Sequence, residues 1–431
     1  MLDRTKAPET YEIDAITLQI AEVTNLSNGA KLHLIKSETQ PVIRLDFVFK
    51  AGKWFEEKVG QSDLAVRMLL EGTLNHTAKQ IADKIAFYGA SFENSHGYDR
   101  TEFTLYCLSK YVEELLPLVL DVLQNPVFPE EEYKLLKQRT TQNIKVQRQK
   151  TSYLATHSFT EHVFGEQHPY VFGFDEEALE PLTKEDLHQF YKSRFLTQEL
   201  EVLACGDINE QTQRYLEHEI QQLQLQPSKA SHTSAQKEIA IHPDTGKKSS
   251  LVLVENSLQS SIRMGRRFPL ITDKDYLQLA VLNEILGGYF GSRLMRNIRE
   301  DKGYTYGIYS VISPKEQDSM FYIGTDVNYA VTDKTIEEII KEITLLQQEE
   351  VPEDELQTVK NYMLGKFLND INTIFDQCDR YKKIVLYDLP QNHYNDFVTT
   401  IRTTTAPELK ALAQRYLQPE DLFVAVAGRK A

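Results

Sequence analysis

Hydrophobic residues recur along this chain with two different periods. Runs such as Pro41-VIRLDFVFK and Thr101-EFTLYCL alternate apolar with polar positions and are rich in β-branched and aromatic residues, which predicts strands. Runs rich in Glu, Leu and Lys, such as Tyr111-VEELLPLVLDVL and the Pro-led Pro129-EEEYKLLKQR, repeat their apolar positions with helical period. The same pair of helices returns, in the same order, as Thr335-IEEIIKEITLL and Pro352-EDELQTVKNYM. A closing helix and strand return as well: Lys184-EDLHQFYKSRFL with Leu200-EVLACGD, then Ala406-PELKALAQRYL with Leu422-FVAVAGR. Pro129 matches Pro352 and Gly206 matches Gly428, each at an offset of about 222 residues, a regularity that marks a duplicated unit.

The second unit supplies its own strands at Ser249-SLVLVEN, Gln259-SSIRMGRR, Thr305-YGIYSVIS and Met320-FYIGTDV. Between the units, the stretch from Glu219 to Asp244 is Gln/Ser/His-rich and weakly apolar. The expected organisation is therefore a first domain over 1–222, a linker over 223–243 centred near Lys229, and a second domain over 244–431. The fold class expected is α+β.

Composition narrows the function. The chain has 431 residues with 41% hydrophobic and 26% charged, ample for two buried cores. A formal net charge of -15 argues against nucleic acid as the main partner, because phosphate binding needs a basic face. Cys107, Cys205 and Cys378 are far apart in sequence and form no C-x-x-C pair, so neither a disulfide framework nor a cysteine zinc site is expected. The N-terminal MLDRTKAPETYEIDAITLQIAE lacks the apolar run of a secretory signal, and no segment reaches the roughly 20 apolar residues of a membrane span. A cytoplasmic location without membrane insertion is expected.

The run Ala51-GKWFEEKVGQSDLAVRMLLEGT resembles the segment of M16 (pitrilysin/insulinase-like) metallopeptidases that carries an inverted zinc motif, H-x-x-E-H. Gly52, Glu56, Gly60, Met68, Gly72 and Thr73 stand where that family has them. In such a motif two imidazoles four residues apart on a helix share one zinc, and the Glu activates bound water. Here the three positions hold Asp63, Val66 and Arg67. Valine cannot take a proton from water, and a guanidinium has no lone pair for a metal. The family's third ligand, a Glu on the Pro-led helix, aligns with Asn143, or with Gln142 if the register slips by one. With every ligand position changed together, the resemblance implies a lost site rather than a different metal. Asp63 and Arg67, acid first at i and i+4, are expected to form a helix ion pair instead.

Other histidines offer no substitute. His157, His162 and His168, with Glu161, look metal-like, but histidines five apart lie about 140° around a helix and cannot converge on one ion. His76 and His96 stand alone in the sequence. Ordinary core or surface roles are expected for all of them.

In the second unit, Leu282-NEILGGYFGSRLMRNIREDKGYTYGIYS resembles the family's other active-site element. The resemblance implies that Arg299, at the end of a helix, and Tyr306, seven residues later, face the peptide chamber. Gly303 lets the backbone turn between them, and Gly287, Gly288 and Gly291, in the loop before the helix, permit close backbone approach. Resemblance extends over nearly the whole chain, from Asn28-GAKLHLIKSE to the last strand. It implies two duplicated α/β-sandwich domains of the LuxS/processing-peptidase-like metallohydrolase fold, with antiparallel-rich sheets and helices on one face. It further implies a zinc-less subunit of the processing-peptidase-like M16B type, inactive alone. Such a subunit would pair with a zinc-bearing homologue, or with itself where that partner is absent, and would bind unfolded peptide through Arg299, Tyr306, Gly287 and Gly288. No cofactor is expected in this chain, the zinc being the partner's. The alternative function is a structural or peptide-holding protein with no part in proteolysis.

Overall fold

A computed structural model describes residues 18–227 and 248–429. Of the expected linker, residues 228–243 fall outside the described residues, as do residues 1–17 of the N-terminal stretch.

Six strands form the first sheet: β1 (Glu22–Asn25), β2 (Lys31–Lys36), β3 (Val42–Phe49), β4 (Ser91–His96), β5 (Thr101–Leu108) and β6 (Glu201–Gly206), in the order β1-β2-β6-β3-β5-β4. Five form the second: β7 (Ser249–Leu253), β8 (Gln259–Arg267), β9 (Thr305–Pro314), β10 (Ser319–Asn328) and β11 (Phe423–Gly428), in the order β7-β11-β8-β10-β9. The topology repeats. In each sheet the closing strand, β6 or β11, runs parallel to the first strand of the repeated set and antiparallel to the next. Every remaining pair is antiparallel.

Helices of the first half are α1 (Gln61–Met68), α2 (Ala78–Phe87), α3 (Val112–Gln124), α4 (Glu130–Gln147), α5 (Thr151–Phe164), α6 (Lys184–Arg194) and α7 (Glu210–Ile220). Those of the second are α8 (Tyr276–Asn283), α9 (Thr332–Gln348), α10 (Glu353–Asn369), α11 (Ile374–Leu386), α12 (His393–Thr403) and α13 (Ala406–Tyr416). In α3 the apolar stripe of Leu115, Leu116, Leu118, Val119 and Val122 is buried against the inward residues Phe103, Leu105 and Cys107 of β5. Burying each such side chain fully contributes about 1.5–3 kcal/mol. None of the helices among the described residues is long and apolar enough to cross a membrane.

The opposite face of each sheet is covered by a helix from the other half, which the sequence pattern did not disclose. Helix α5 lies on β8 and β11, where Phe159 and Phe164 pack with Met320 and Phe423. There the Arg263 Nε donates to Thr156 Oγ1 at 3.1 Å, and Arg267 Nε donates to the Val163 carbonyl at 3.0 Å. Reciprocally, α11 lies on β2 and β6, where Cys378 is buried with Ile35, Val48, Leu203 and Cys205. This explains why Val202 to Gly206 of β6 are buried on both faces, while β5, covered on one, keeps its alternation. Ionic contacts fasten α11: Lys382 reaches the wholly buried Asp46 at 3.1 Å and also Glu102, while Arg44 bridges Asp46 at 3.0 Å and Asp379 at 2.7 Å.

Candidate functional site

Helix α1 carries the positions of the inverted motif. Val66 is entirely buried in the first core, pointing where no solvent or substrate reaches. Asp63 Oδ1 accepts from Arg67 Nε at 3.1 Å on the exposed side, so the i,i+4 pair forms as expected. Gln142 and Asn143 are both exposed on α4, the helix packed against α1. The donor set does not suit zinc: it offers one carboxylate, already paired, an alkyl group, a guanidinium and an amide. Among the described residues, no group of three or more His, Cys, Asp or Glu could hold a metal ion.

Around α1 the polar groups have turned on one another. The buried Ser62 hydroxyl donates to Glu56, its backbone N–H donates to the same carboxyl at 2.9 Å, and the hydroxyl shares a hydrogen bond of 2.6 Å with His96 Nε2. His96 Nδ1 then lies 4.0 Å from Asp63 Oδ1. Burial pushes the Glu56 carboxyl up, against the opposing Ser62 bonds, and pushes the His96 imidazole down. His96 is thus not isolated: β4 packs against α1 and brings it to Ser62, although 34 residues separate them. His76 is also partnered, its Nδ1 lying 3.1 Å from Asp121. The metal-like histidines of α5 serve packing, with His157 Nδ1 at 2.6 Å from the Phe172 carbonyl and the His162 ring stacked on Phe423 at 3.5 Å.

The second half is arranged differently. Arg299 lies in a π-helical segment, Met295–Asp301, a wider winding that often accompanies functional positions. Lys302 N closes the segment on Asn297 O, and Gly303, at φ +64°, turns the chain into β9. The Gly287–Gly288 pair sits not in a loop but in another π-helical turn, Glu284–Gly288, continuing α8. Its tight apposition to β9 needs the glycine: a Cβ on Gly287 would stand 2.6 Å from Ser310 N.

Arg299 Nε donates to the Tyr306 carbonyl at 2.9 Å. Its guanidinium carbon lies 4.6 Å from the centre of the Phe290 ring and 5.8 Å from that of Tyr306. Glu300, at 3.9 Å from Nη1, is a distant counter-ion. The Tyr306 side chain stands in the open, the residue being 94% exposed, and Phe290 is 62% exposed. Arg299, Tyr306, Gly287 and Gly288 all line one open cavity of about 1210 Å³, together with Phe290 and Tyr309. Sequence reading missed Phe290; an aromatic residue inside a Gly-rich turn, where nothing buries it, was the available signal. The arrangement presents hydrogen-bond donors and aromatic faces to whatever enters.

Residues 31–168 match the family model described as insulinase (peptidase family M16), and residues 181–363 match the one described as peptidase M16 inactive domain. The chain belongs to the M16 family. Similar M16 relatives include the non-peptidase homolog YmxG of Helicobacter pylori, 24% identical over 96% of each chain. Another is the uncharacterized zinc protease YmxG of Bacillus subtilis, 22% identical over 93% of this chain and 96% of that one. Among solved structures, a peptidase M16 inactive domain from Pseudomonas fluorescens superposes with a TM-score of 0.86 at 23% identity, covering 95% of this chain and 98% of the other. A protease from H. pylori gives 0.84 at 18%, covering 96% and 100%. These likenesses establish the M16 fold. The relatives' names divide between protease and non-peptidase; the residues of α1 make this an inactive M16-type chain.

Proposed function

We propose that this protein is the zinc-less subunit of a two-chain M16 peptidase, holding an unfolded peptide for a zinc-bearing homologue and donating hydrogen bonds to it during hydrolysis. The observation that carries the reading is the openness of Arg299 and Tyr306: a fully exposed phenol and a half-exposed guanidinium share a cavity with bare Gly287 and Gly288. Hydrolysis of a peptide bond builds negative charge on the carbonyl oxygen, and donors already in place stabilise that charge without reorganising. The Tyr306 hydroxyl and the Arg299 Nη groups are such donors. The Arg299 Nε, bound to the Tyr306 carbonyl, ties the two residues into one unit. Zinc and the water-activating carboxylate are the partner's contribution, since α1 has the residues for neither.

Mixing the purified chain with an H-x-x-E-H homologue from the same source tests the reading. Sizing and peptidase assay should find no turnover by this chain alone, a mixed dimer, and turnover that rises on mixing. A homologue fully active without this chain and unable to bind it would overturn the proposal in favour of a structural or peptide-holding role.

A further inference from the structure

The π-helical segment Met295–Asp301, with the lysine that follows it, is tied to α9 at two points, and Arg299 lies between them. At the first, the buried Asn297 donates from Nδ2 to Glu338 Oε2 at 2.9 Å and to Glu342 Oε1 at 2.6 Å. At the second, Lys302 Nζ lies 3.3 Å from the other Glu338 oxygen, Oε1. One carboxyl group thus holds both ends of a single turn, with one oxygen on each. The Asn297 amide, above all, keeps the Glu338 carboxyl below the usual carboxylate range.

The spacing makes this carboxyl selective for the wide winding. Asn297 and Lys302 are five residues apart, and Lys302 N donates to the Asn297 carbonyl at 3.0 Å, the bond that defines a π turn. Side chains at the two ends of such a turn face the same neighbour. In an α-helix of 3.6 residues per turn the same positions would point about 140° apart, and one carboxyl could not reach both. Glu338 therefore favours the π winding through contacts that only this winding allows.

The winding in turn aims Arg299. Just upstream, Arg293 and Arg296 are both held by Glu355 of α10, Arg293 at 3.0 and 2.8 Å and Arg296 at 3.0 Å. Arg299 has its Nε on the Tyr306 carbonyl and, among the described residues, no carboxylate nearer than Glu300 at 3.9 Å. Its direction is set by the backbone rather than by an ion pair. We infer that Glu338 is a positioning residue: through Asn297 and Lys302 it keeps the segment in the winding that turns Arg299 onto Tyr306 and into the cavity. The consequence for function rests on the role proposed above for Arg299; the orientation itself does not.

The Arg299 Nε–H resonance of the whole chain, assigned by its loss in Arg299→Lys, tests the orientation without partner or substrate. In the wild type this proton should exchange with water slower than that of an exposed arginine by about tenfold or more. Glu338→Ala should abolish that protection with the circular dichroism spectrum unchanged. Lys341→Ala removes a lysine that pairs with Glu338 at 3.4 Å but belongs to α9 itself, and should leave the protection in place. Should Glu338→Ala not fold, Lys302→Ala, whose side chain is 38% exposed, carries the test with the same expected loss. In the assembled pair with a zinc-bearing homologue, Glu338→Ala should slow single-turnover hydrolysis by about tenfold, and by nothing further once Arg299→Ala is present. A proton unprotected in the wild type, still protected in Glu338→Ala and Lys302→Ala, or lost equally in Lys341→Ala would overturn the inference. So would a loss of rate that adds in full to that of Arg299→Ala. Protection that responds as expected in a pair that never cleaves peptide would uphold the positioning and overturn the role proposed for Arg299 instead.

Discussion

Helix α1 and the Arg299 segment are the two places where the sequence resembles the active-site elements of its family, and they treat their polar groups in opposite ways. Around α1, Glu56, Ser62 and His96 satisfy one another, Asp63 is paired with Arg67, and Val66 fills the core. Around Arg299 the Tyr306 side chain is left in solvent, the exposed Phe290 ring lies beside the guanidinium, and both line an open cavity. The first arrangement is what packing and hydrogen-bond satisfaction produce when no ligand has to be received. The second contributes little to stability, since an exposed aromatic side chain gains almost no burial. The contrast assigns the two regions different currencies: changes near α1 should appear in folding, changes near Arg299 in function.

The largest expected effect comes from returning the general base to its family position. Val66→Glu places a carboxyl in a fully apolar site with no partner, and should lower unfolding free energy by about 3 kcal/mol or more in denaturant titration. Arg299→Ala and Tyr306→Phe, measured alongside, should stay within about 0.5 kcal/mol of wild type. A stability loss at Arg299 comparable to that at Val66 would erase the distinction.

An intermediate effect is expected at His96. His96→Ala removes the imidazole partner of a buried Ser62 hydroxyl and should cost about 1–3 kcal/mol. Its pH dependence has a definite sign. Burial holds the folded-state pKa of His96 below its ordinary value of 6.5, so the unfolded chain takes up the proton first. The stability tied to this group is present above pH 6.5 and is lost as pH falls towards the depressed folded value. His96→Gln should therefore flatten the decline of thermal midpoint below about pH 6.5 relative to wild type. An unchanged slope would show that the imidazole does not titrate differently in the two states.

The smallest effect belongs to the surface pair. Asp63→Ala should cost about 0.3–0.5 kcal/mol, reduced further in high salt, because the pair is partly exposed and joins neighbouring turns of one helix.

What could be read from the sequence follows the range of the interactions. The alternation in β5, the helical period of α3 and the i,i+4 spacing of Asp63 and Arg67 are local, and the structure has all three. The 222-residue offset between the repeats likewise reports paired elements, and two sheets of matching topology follow. Contacts between distant segments were not legible. His96 meets Ser62 only because β4 folds against α1, and Asp46 in mid-strand looks anomalous until α11 brings Lys382 to it. The exchange of α5 and α11 belongs to the same class, since amphipathic period says that a helix covers apolar surface and not whose. The π winding of Met295–Asp301 leaves no compositional mark, so the sequence pattern shows only an ordinary helix end at Arg299.

The central claim is that Arg299 and Tyr306 work while α1 does not, and single-turnover peptide hydrolysis by the assembled pair with a zinc-bearing homologue tests it most directly. With Arg299→Ala/Tyr306→Phe in this chain, the account predicts a hydrolysis rate lower by about a hundredfold or more, with the dimer and the partner's zinc content unchanged. A pair that forms normally and cleaves at the wild-type rate with both donors removed would contradict it.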